Sequence, residues 1–423
     1  MSDLATRDYT EDLEVLRDPY PFFEAIRRPS GVFHDTARDI YFVTGFDETV
    51  GVLLDHETFS SNIAVHGPKN LPTFSGTKEE IRAQLAEFRS QNALAELLVN
   101  YDGLEHANVR GLLDKLFVPS RLKANKEYMN RLADEMVAEA LAAGKAEMVK
   151  SFSAKYVTLV IADLLGVPAA DRETFRDVID NGPPAGNMAQ DDERPPHATL
   201  EFLGGYFFNY ITERRERDMG DVMSELAHAR FPDGSLPDLF EVVKASMFLF
   251  AAGQDTSAKL VANSLLYLCE NPEMQDRLRA DADAIPAFIE EMLRLEGSTK
   301  VTFRLALEDV TVGDTLIPAG KPVVVGLAAA NRDADKWDKP TAFRLDRPHI
   351  RQHLAFGRGR HTCIGAALAR AEVVVLLRAL LKATSAIRLD EAEHGPPGAR
   401  NLVYEPSYII RGLEALHLVL EPA

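Results

Sequence analysis

The sequence predicts a mainly α-helical protein with a smaller β-rich portion, and three observations carry that expectation. Apolar residues recur at helical spacing over about 78–98, 104–116, 121–143, 150–165, 171–180, 200–218, 238–270 and 364–384. After Arg294 the texture changes: segments 301–325 and 401–420 are rich in Val, Ile, Leu and Thr, with Pro and Gly punctuation, which suggests short strands. The composition, 46% hydrophobic and 26% charged over 423 residues, is that of a globular chain able to bury a large core.

Each element has a local reason. An early strand pair, Val32-Phe33-His34 and Ile40-Tyr41-Phe42-Val43, flanks a polar turn. The longest helix, about 238–270, stops at Asn271-Pro272, because proline ends a helical run. Two segments, 60–77 and 182–198, are instead rich in turn and breaker residues. Loops of that length are lids or linkers. The helix after the second is crowded with Phe202, Tyr206, Phe207, Phe208 and Tyr210, which suits either core packing or a lid over an apolar pocket.

Composition also excludes whole classes of function. With 47 basic against 65 acidic residues the formal net charge is −18 at pH 7, and a field of that sign disfavours nucleic acid. The acidic N-terminal stretch lacks the apolar core of a signal segment. No run reaches the roughly 20 apolar residues of a membrane helix, so a soluble protein without a membrane partner is expected. The 2 cysteines, Cys269 and Cys363, exclude a disulfide framework and fit a reducing, cytoplasmic setting.

The most informative stretch is His353-Leu354-Ala355-Phe356-Gly357-Arg358-Gly359-Arg360-His361-Thr362-Cys363-Ile364-Gly365, followed by the helical pattern AALARAEVVVLLRALL. Cys363 thus stands at a helix mouth, where free N–H groups and the positive dipole end stabilise a thiolate. Gly357, Gly359 and Gly365 remove side chains where the backbone must bend or approach something flat and bulky. A thiolate donating to iron, with a planar macrocycle against small residues, needs this combination. A structural zinc site needs about four protein ligands, and only His353 and His361 lie near. Cys269, near the end of the long helix, has no such neighbourhood and reads as a buried structural thiol.

Phe-Gly-x-Gly-x-His-x-Cys-x-Gly as a unit resembles the cytochrome P-450 family of haem-thiolate monooxygenases, in particular the soluble bacterial type. The resemblance extends from Asp18-Pro19-Tyr20-Pro21 to Arg411-Gly412-Leu413. It implies one P-450 domain over residues 1–423, with haem between a long central helix and the cysteine-loop helix, and lid regions at about 60–100 and 182–218. It implies haem b with Cys363 as the axial thiolate, whose electron donation favours O–O cleavage.

The same resemblance supplies supporting roles. His106 and Arg110, at i and i+4, would alone read as a solvated helix face. Between Tyr101-Asp102-Gly103 and Lys115-Leu116-Phe117-Val118-Pro119 they resemble the family's propionate-binding helix, with Arg304 and His361 as further propionate partners. Glu291 and Arg294 resemble the buried Glu-x-x-Arg that anchors the cysteine region. The position before Phe343 that often supplies its third partner is Ala342, and Arg344 is the candidate substitute. In the long helix, Asp255-Thr256 resembles the acid–alcohol pair: Thr256 holds dioxygen and its water by hydrogen bonds, Asp255 relays protons, and a kink at Ala252-Gly253 opens a groove. Implied substrate contacts are Phe248, Ala251, Ala252, Thr299, Val301, Thr302, Ile409 and Ile410, apolar walls with small hydroxyls that suit a hydrophobic small molecule. Ser298 stands where the family commonly has proline, and Lys300 reads as a solvated side chain.

No Gly-x-Gly-x-x-Gly opens a helix after a strand, and no cysteine cluster could hold an iron–sulfur centre. The resemblance therefore implies a separate ferredoxin with its reductase. Ferredoxins are acidic, so a basic patch is expected on the cysteine side, from Arg110, Arg121, Lys123, Arg358, Arg360 and Arg370. The expected reaction is insertion of one oxygen atom from O2 into a terpenoid, steroid or aromatic compound. Oxidative coupling or dehydration at the haem, and a non-catalytic haem sensor, stay open as alternatives, both disfavoured by Asp255-Thr256.

Overall fold

The computed structural model describes residues 3–91, 96–180 and 198–423. The helices that matter for the site are α1 (Lys78–Ser90), α2 (Gly103–Asp114), α3 (Pro119–Ala143), α4 (Lys155–Leu165), α5 (Arg172–Asp180), α6 (Ala198–Glu216), α7 (Leu239–Glu270), α8 (Ile285–Glu296) and α9 (Ala366–Ala383). Their ends follow from local chemistry. Thr77 and Glu80 form a reciprocal capping box at the start of α1. Gly144, at φ 70°, ends α3 in the left-handed conformation that glycine adopts without a Cβ penalty. Helix α7 starts where Asp238 accepts from the Phe240 N–H and ends at Asn271, before the proline that opens the next helix.

The strands are short: β1 (Val32–Asp35), β2 (Ile40–Val43), β3 (Phe59–Ser60), β4 (Lys145–Glu147), β5 (Thr302–Ala306), β6 (Val310–Val312), β7 (Thr315–Ile317), β8 (Pro322–Val325), β9 (Thr384–Leu389) and β10 (His417–Pro422). One sheet has the order β1-β2-β8-β5-β3, a second β4-β10-β9, and β6 pairs with β7. In the first, β5 runs antiparallel to β8 with Arg304 opposite Val323, which fixes the face on which the arginine emerges. The region 401–420 is less regular than expected. It holds β10 and only the isolated bridges Thr299↔Ile410 and Tyr404↔Leu413. Before β10 the segment is tied by these bridges and by single backbone bonds, such as the Arg411 N–H to the Ser298 carbonyl at 2.7 Å, and not by a ladder.

Helix α7 packs through the largest apolar core and meets α4, α6, α8 and α9. A Cβ on Gly253 would lie 2.7 Å from Ile161 Cδ1 of α4, so glycine is what lets the two helices approach. Helix α7 runs without a break through Ala252 and Gly253, where the groove was expected. The aromatic set on α6 is core in part: Phe207 is buried, and Phe175 stacks among Tyr206, Phe207, Tyr210 and Phe250. The second expected loop, through residue 197, lies outside the described residues. Among the described residues no helix is long and apolar enough to cross a membrane.

Candidate active site

The cysteine loop is shaped by two left-handed glycines, Gly357 at φ 65° and Gly359 at φ 72°. A Cβ on Gly359 would also fall 2.8 Å from the Leu53 carbonyl oxygen, so no other residue fits there without movement. The Cys363 N–H donates to the Phe356 carbonyl at 2.9 Å and closes the loop just before α9. Burial pushes the Cys363 thiol above the ordinary cysteine range, although the Gly365 N–H, Arg110 and Arg370 pull it down. The helix-mouth stabilisation expected from sequence is thus outweighed by desolvation in the chain alone. Yet the Cys363 side chain is accessible. Cys269 differs: the residue is half-buried, but its sulfur is turned inward and burial pushes it up to about 12, as an inert thiol requires.

Around that loop, basic side chains converge from three elements. His106 and Arg110 come from α2, Arg304 from β5, and Arg360 and His361 from the loop. The His106 and His361 rings lie 4.1 Å apart, and Arg110 Nη1 donates to the Thr362 carbonyl at 2.8 Å. Burial, then Arg110 and Arg360, push His106 down to about 4. Burial, then Arg304, His106 and Arg110, push His361 down to about 2. Arg304 is buried and lowered to about 10 by burial, and among the described residues no carboxylate lies within ion-pair distance of it. Its Nη1 donates only to the Thr302 hydroxyl at 3.2 Å and the Phe303 carbonyl at 2.7 Å. Asp102 acts on it only at a distance, and a buried guanidinium without a directly paired anion is costly. This donor set fits a ligand with more than one carboxylate, as haem is with its two propionates.

A buried ion-pair set anchors the loop from below. Glu291 and Arg294 pair through both carboxylate oxygens at 2.9 and 2.7 Å, and both are fully buried. The third partner is Arg347, whose Nε donates to Glu291 at 2.8 and 3.0 Å. Arg344 is not that partner: its side chain turns outward to Asp338 at 2.9 Å, and only its backbone N–H reaches Glu291. The carbonyl of Ala342 accepts from Arg347 at 2.7 Å, so the backbone at that position is used where a side chain was expected. The neighbouring Glu290 was missed in the sequence. It takes His353 at 3.0 Å and Arg370 at 2.6 and 3.0 Å, and although burial raises it, these bonds bring it down to about 2. It ties the start of the loop and α9 to α8. The only signal was spacing within the motif, where Glu290 and Glu291 look alike.

On α7, the Thr256 hydroxyl donates back to the Ala252 carbonyl at 3.1 Å, and its own carbonyl accepts from Ser298 Oγ at 2.6 Å. Asp255 Oδ1 is 3.0 Å from Lys259 Nζ, while Oδ2 is buried with no hydrogen-bond partner. Among the expected substrate contacts, Ala252 is exposed in mid-helix, and Phe248, Ala251, Thr299 and Thr302 present part of their surface. Val301 corrects the expectation: it is 0% exposed and packs with Phe303, Ile409 and Ile410 in the sheet-side core. A wall must present surface, and Val301 does not; Ile409 and Ile410 present little. Lys300 is a second correction. It is fully buried, and its ammonium donates to the Leu16 carbonyl at 2.9 Å and to the Ser407 carbonyl. The cause is position: it alternates with Thr299 into the interior, where backbone carbonyls replace water.

Comparison with known proteins decides the family. A model described as Cytochrome P450 matches residues 211–391. The chain is 32% identical over 406 residues to the cytochrome P450 monooxygenase PikC of Streptomyces venezuelae, covering 94% of this chain and 90% of that protein. This chain belongs to the cytochrome P450 family. Among solved structures, the fold superposes on substrate-free CYP150A6 of Mycobacterium marinum with a TM-score of 0.92 and 40% identity, each chain covered in full. CYP109E1 of Bacillus megaterium, solved in complex with corticosterone, matches with a TM-score of 0.78 and 28% identity over 96% of this chain and 99% of that one. The P450 fold and an oxidoreductase of the P450 monooxygenase type follow. Membership brings haem with a cysteine thiolate ligand, and use of O2, a redox partner and small-molecule substrates.

Proposed function

We propose that this P450 inserts one oxygen atom from O2 into a hydrophobic small molecule, by hydroxylation or epoxidation, with electrons from an external ferredoxin and its reductase. The single observation that carries the reading is the convergence of His106, Arg110, Arg304 and His361 beside an accessible Cys363, with the buried Arg304 outside ion-pair distance of any carboxylate among the described residues. Haem b would be held by the Cys363 thiolate and by those four side chains at its propionates. When bound it supplies reductive activation of dioxygen. The chain's own residues do the rest: Ala252 leaves room above α7, Thr256 offers a hydroxyl that exchanges its Ala252 bond for a water, and Asp255 carries protons inward. The partly accessible Phe248, Ala251, Thr299 and Thr302 support a substrate of terpenoid, steroid or aromatic type, and the steroid held by CYP109E1 is of that kind. The whole of residues 1–423 is read as one such unit, working in the cytoplasm.

The test is the absorption spectrum of the reduced, carbon-monoxide-bound protein. Wild type should give a thiolate-type Soret band, and Cys363→Ala should lose it. A colourless wild type, or a band that survives in the variant, would refute the ligand assignment.

A further inference from the structure

One helical turn beyond Asp255, Lys259 is buried to 1% exposure. A lysine ammonium so placed needs partners. It has two, from distant parts of the chain: Asp255 on its own helix, at 3.0 Å, and Glu405 of the C-terminal segment, in a short ion pair. The site is built around the side chain. The lysine stem lies across Gly412 so closely that any Cβ there would collide with it. The Glu405 N–H donates to the Gly412 carbonyl at 3.0 Å, and Tyr404 bridges to Leu413, so the acid and the glycine sit on facing arms of one turn. The other cation acting on Glu405 is Lys150. Burial alone would lower Lys259, but the two carboxylates outweigh it and hold the ammonium charged, so Lys259 acts as a fixed charge and not as a proton carrier.

The two acids compete for one ammonium. Asp255 is held by Oδ1 only, and its Oδ2 is left buried and unpartnered. We propose that Lys259 and Glu405 are positioning residues for the proton step. Lys259 fixes Asp255 by one oxygen so that the other meets water beside Thr256, and Glu405 shares the ammonium so that this hold does not lock Asp255. The inference rests on the proposed relay role of Asp255 and Thr256. In each cycle Asp255 turns its Oδ2, buried at rest, to a solvent hydronium, takes that proton to leave water, and gives it to the water at Thr256, so the carboxylate ends as it began. No sequence signal for this existed, because Glu405 lies 146 positions from Lys259.

The experiment uses the haem-loaded enzyme with a bacterial ferredoxin and reductase. The turnover probe is whichever of testosterone, corticosterone, camphor or naphthalene gives the largest spin shift. Asp255→Asn should lower coupled turnover, which checks the relay reading itself. Glu405→Gln should lower kcat about tenfold, a fraction of what a positioned acid contributes, with a larger solvent deuterium isotope effect and an unchanged KM. Lys259→Met combined with Glu405→Leu replaces the ion pair by apolar volume and so preserves the fold. It should divert reducing equivalents to peroxide, and Lys259→Arg should restore most coupling. Independently of turnover, the 15N resonance of the Lys259 ammonium should shift in both Asp255→Asn and Glu405→Gln. If Asp255→Asn is impaired while the Lys259 and Glu405 variants keep wild-type kcat and isotope effect, the positioning roles are overturned and the relay reading stands. An ammonium resonance indifferent to Glu405→Gln also overturns them. Unchanged coupling in Asp255→Asn overturns the relay reading and this inference together.

Discussion

Arg347 shows what a single residue decides. Three positions separate it from Arg344, yet one is buried against Glu291 and the other pairs with Asp338 at the surface. Removing one partner of a buried pair leaves an uncompensated charge, so Arg347→Ala should destabilise the protein by about 3–5 kcal/mol. Arg344→Ala should cost less than about 1 kcal/mol. The shift of the urea midpoint measures both, and equal shifts would return the triad to Arg344. Glu372 on α9 gives a pH test. Burial pushes its carboxyl up to about 8, partly offset by the Ser257 hydroxyl. Its folded pKa therefore lies above the unfolded value of 4.5, and below that value neither state is ionised. Between about pH 4.5 and about 8 only the unfolded chain ionises, so this group erodes stability by up to about 1.4 kcal/mol per unit, and above that the loss is constant. Glu372→Gln should therefore be more stable than wild type at pH 8, with the gap closing near pH 4.5 in urea unfolding. A gap that does not change with pH would show Glu372 to be ionised in the fold.

At the scale of elements, periodicity located the helices well because each buries one face against a neighbour. The pattern at 121–143 became Pro119–Ala143, and 238–270 became Leu239–Glu270, since caps and prolines mark both ends. At 401–420 it held for 417–420, which enter β10, but not for the residues before them, which make two isolated bridges. Helix α7 is where element and chemistry meet. Its Thr256 hydroxyl bonds back to Ala252, an interaction that a helix does not need, so Thr256→Ala should leave the fold intact. The variant should keep consuming NADH, with its electrons reducing O2 to hydrogen peroxide in place of product. Tight product coupling, measured as product per NADH, would show that the hydroxyl is not part of the proton step.

At the scale of the molecule, the formal net charge is −18. Much of the expected basic patch is already neutralised: Arg110 pairs with Asp114, Arg121 with Glu225, and Arg370 with Glu290. Arg360 and Lys123 remain exposed, and Arg358 donates to the Gln352 carbonyl. If the redox partner is the proposed acidic ferredoxin, its docking would concentrate on Arg360. Arg360→Glu should slow first-electron transfer and weaken its salt dependence in stopped-flow reduction. An unchanged rate at low salt would move the docking face elsewhere.

The family, the cysteine loop, the helical frame and the basic side chains proposed for the haem propionates were all legible in the sequence by itself. Those are carried by local motifs whose backbone needs, such as left-handed glycines before Cys363, are written in consecutive residues. Only the tertiary structure decided which charges end up buried together. Arg347 on Glu291, His353 and Arg370 on Glu290, Lys259 between Asp255 and Glu405, and Lys300 among backbone carbonyls are all long-range pairings. Their partners are chosen by the cost of removing a charge from water, which depends on three-dimensional burial and leaves no periodic trace along the chain.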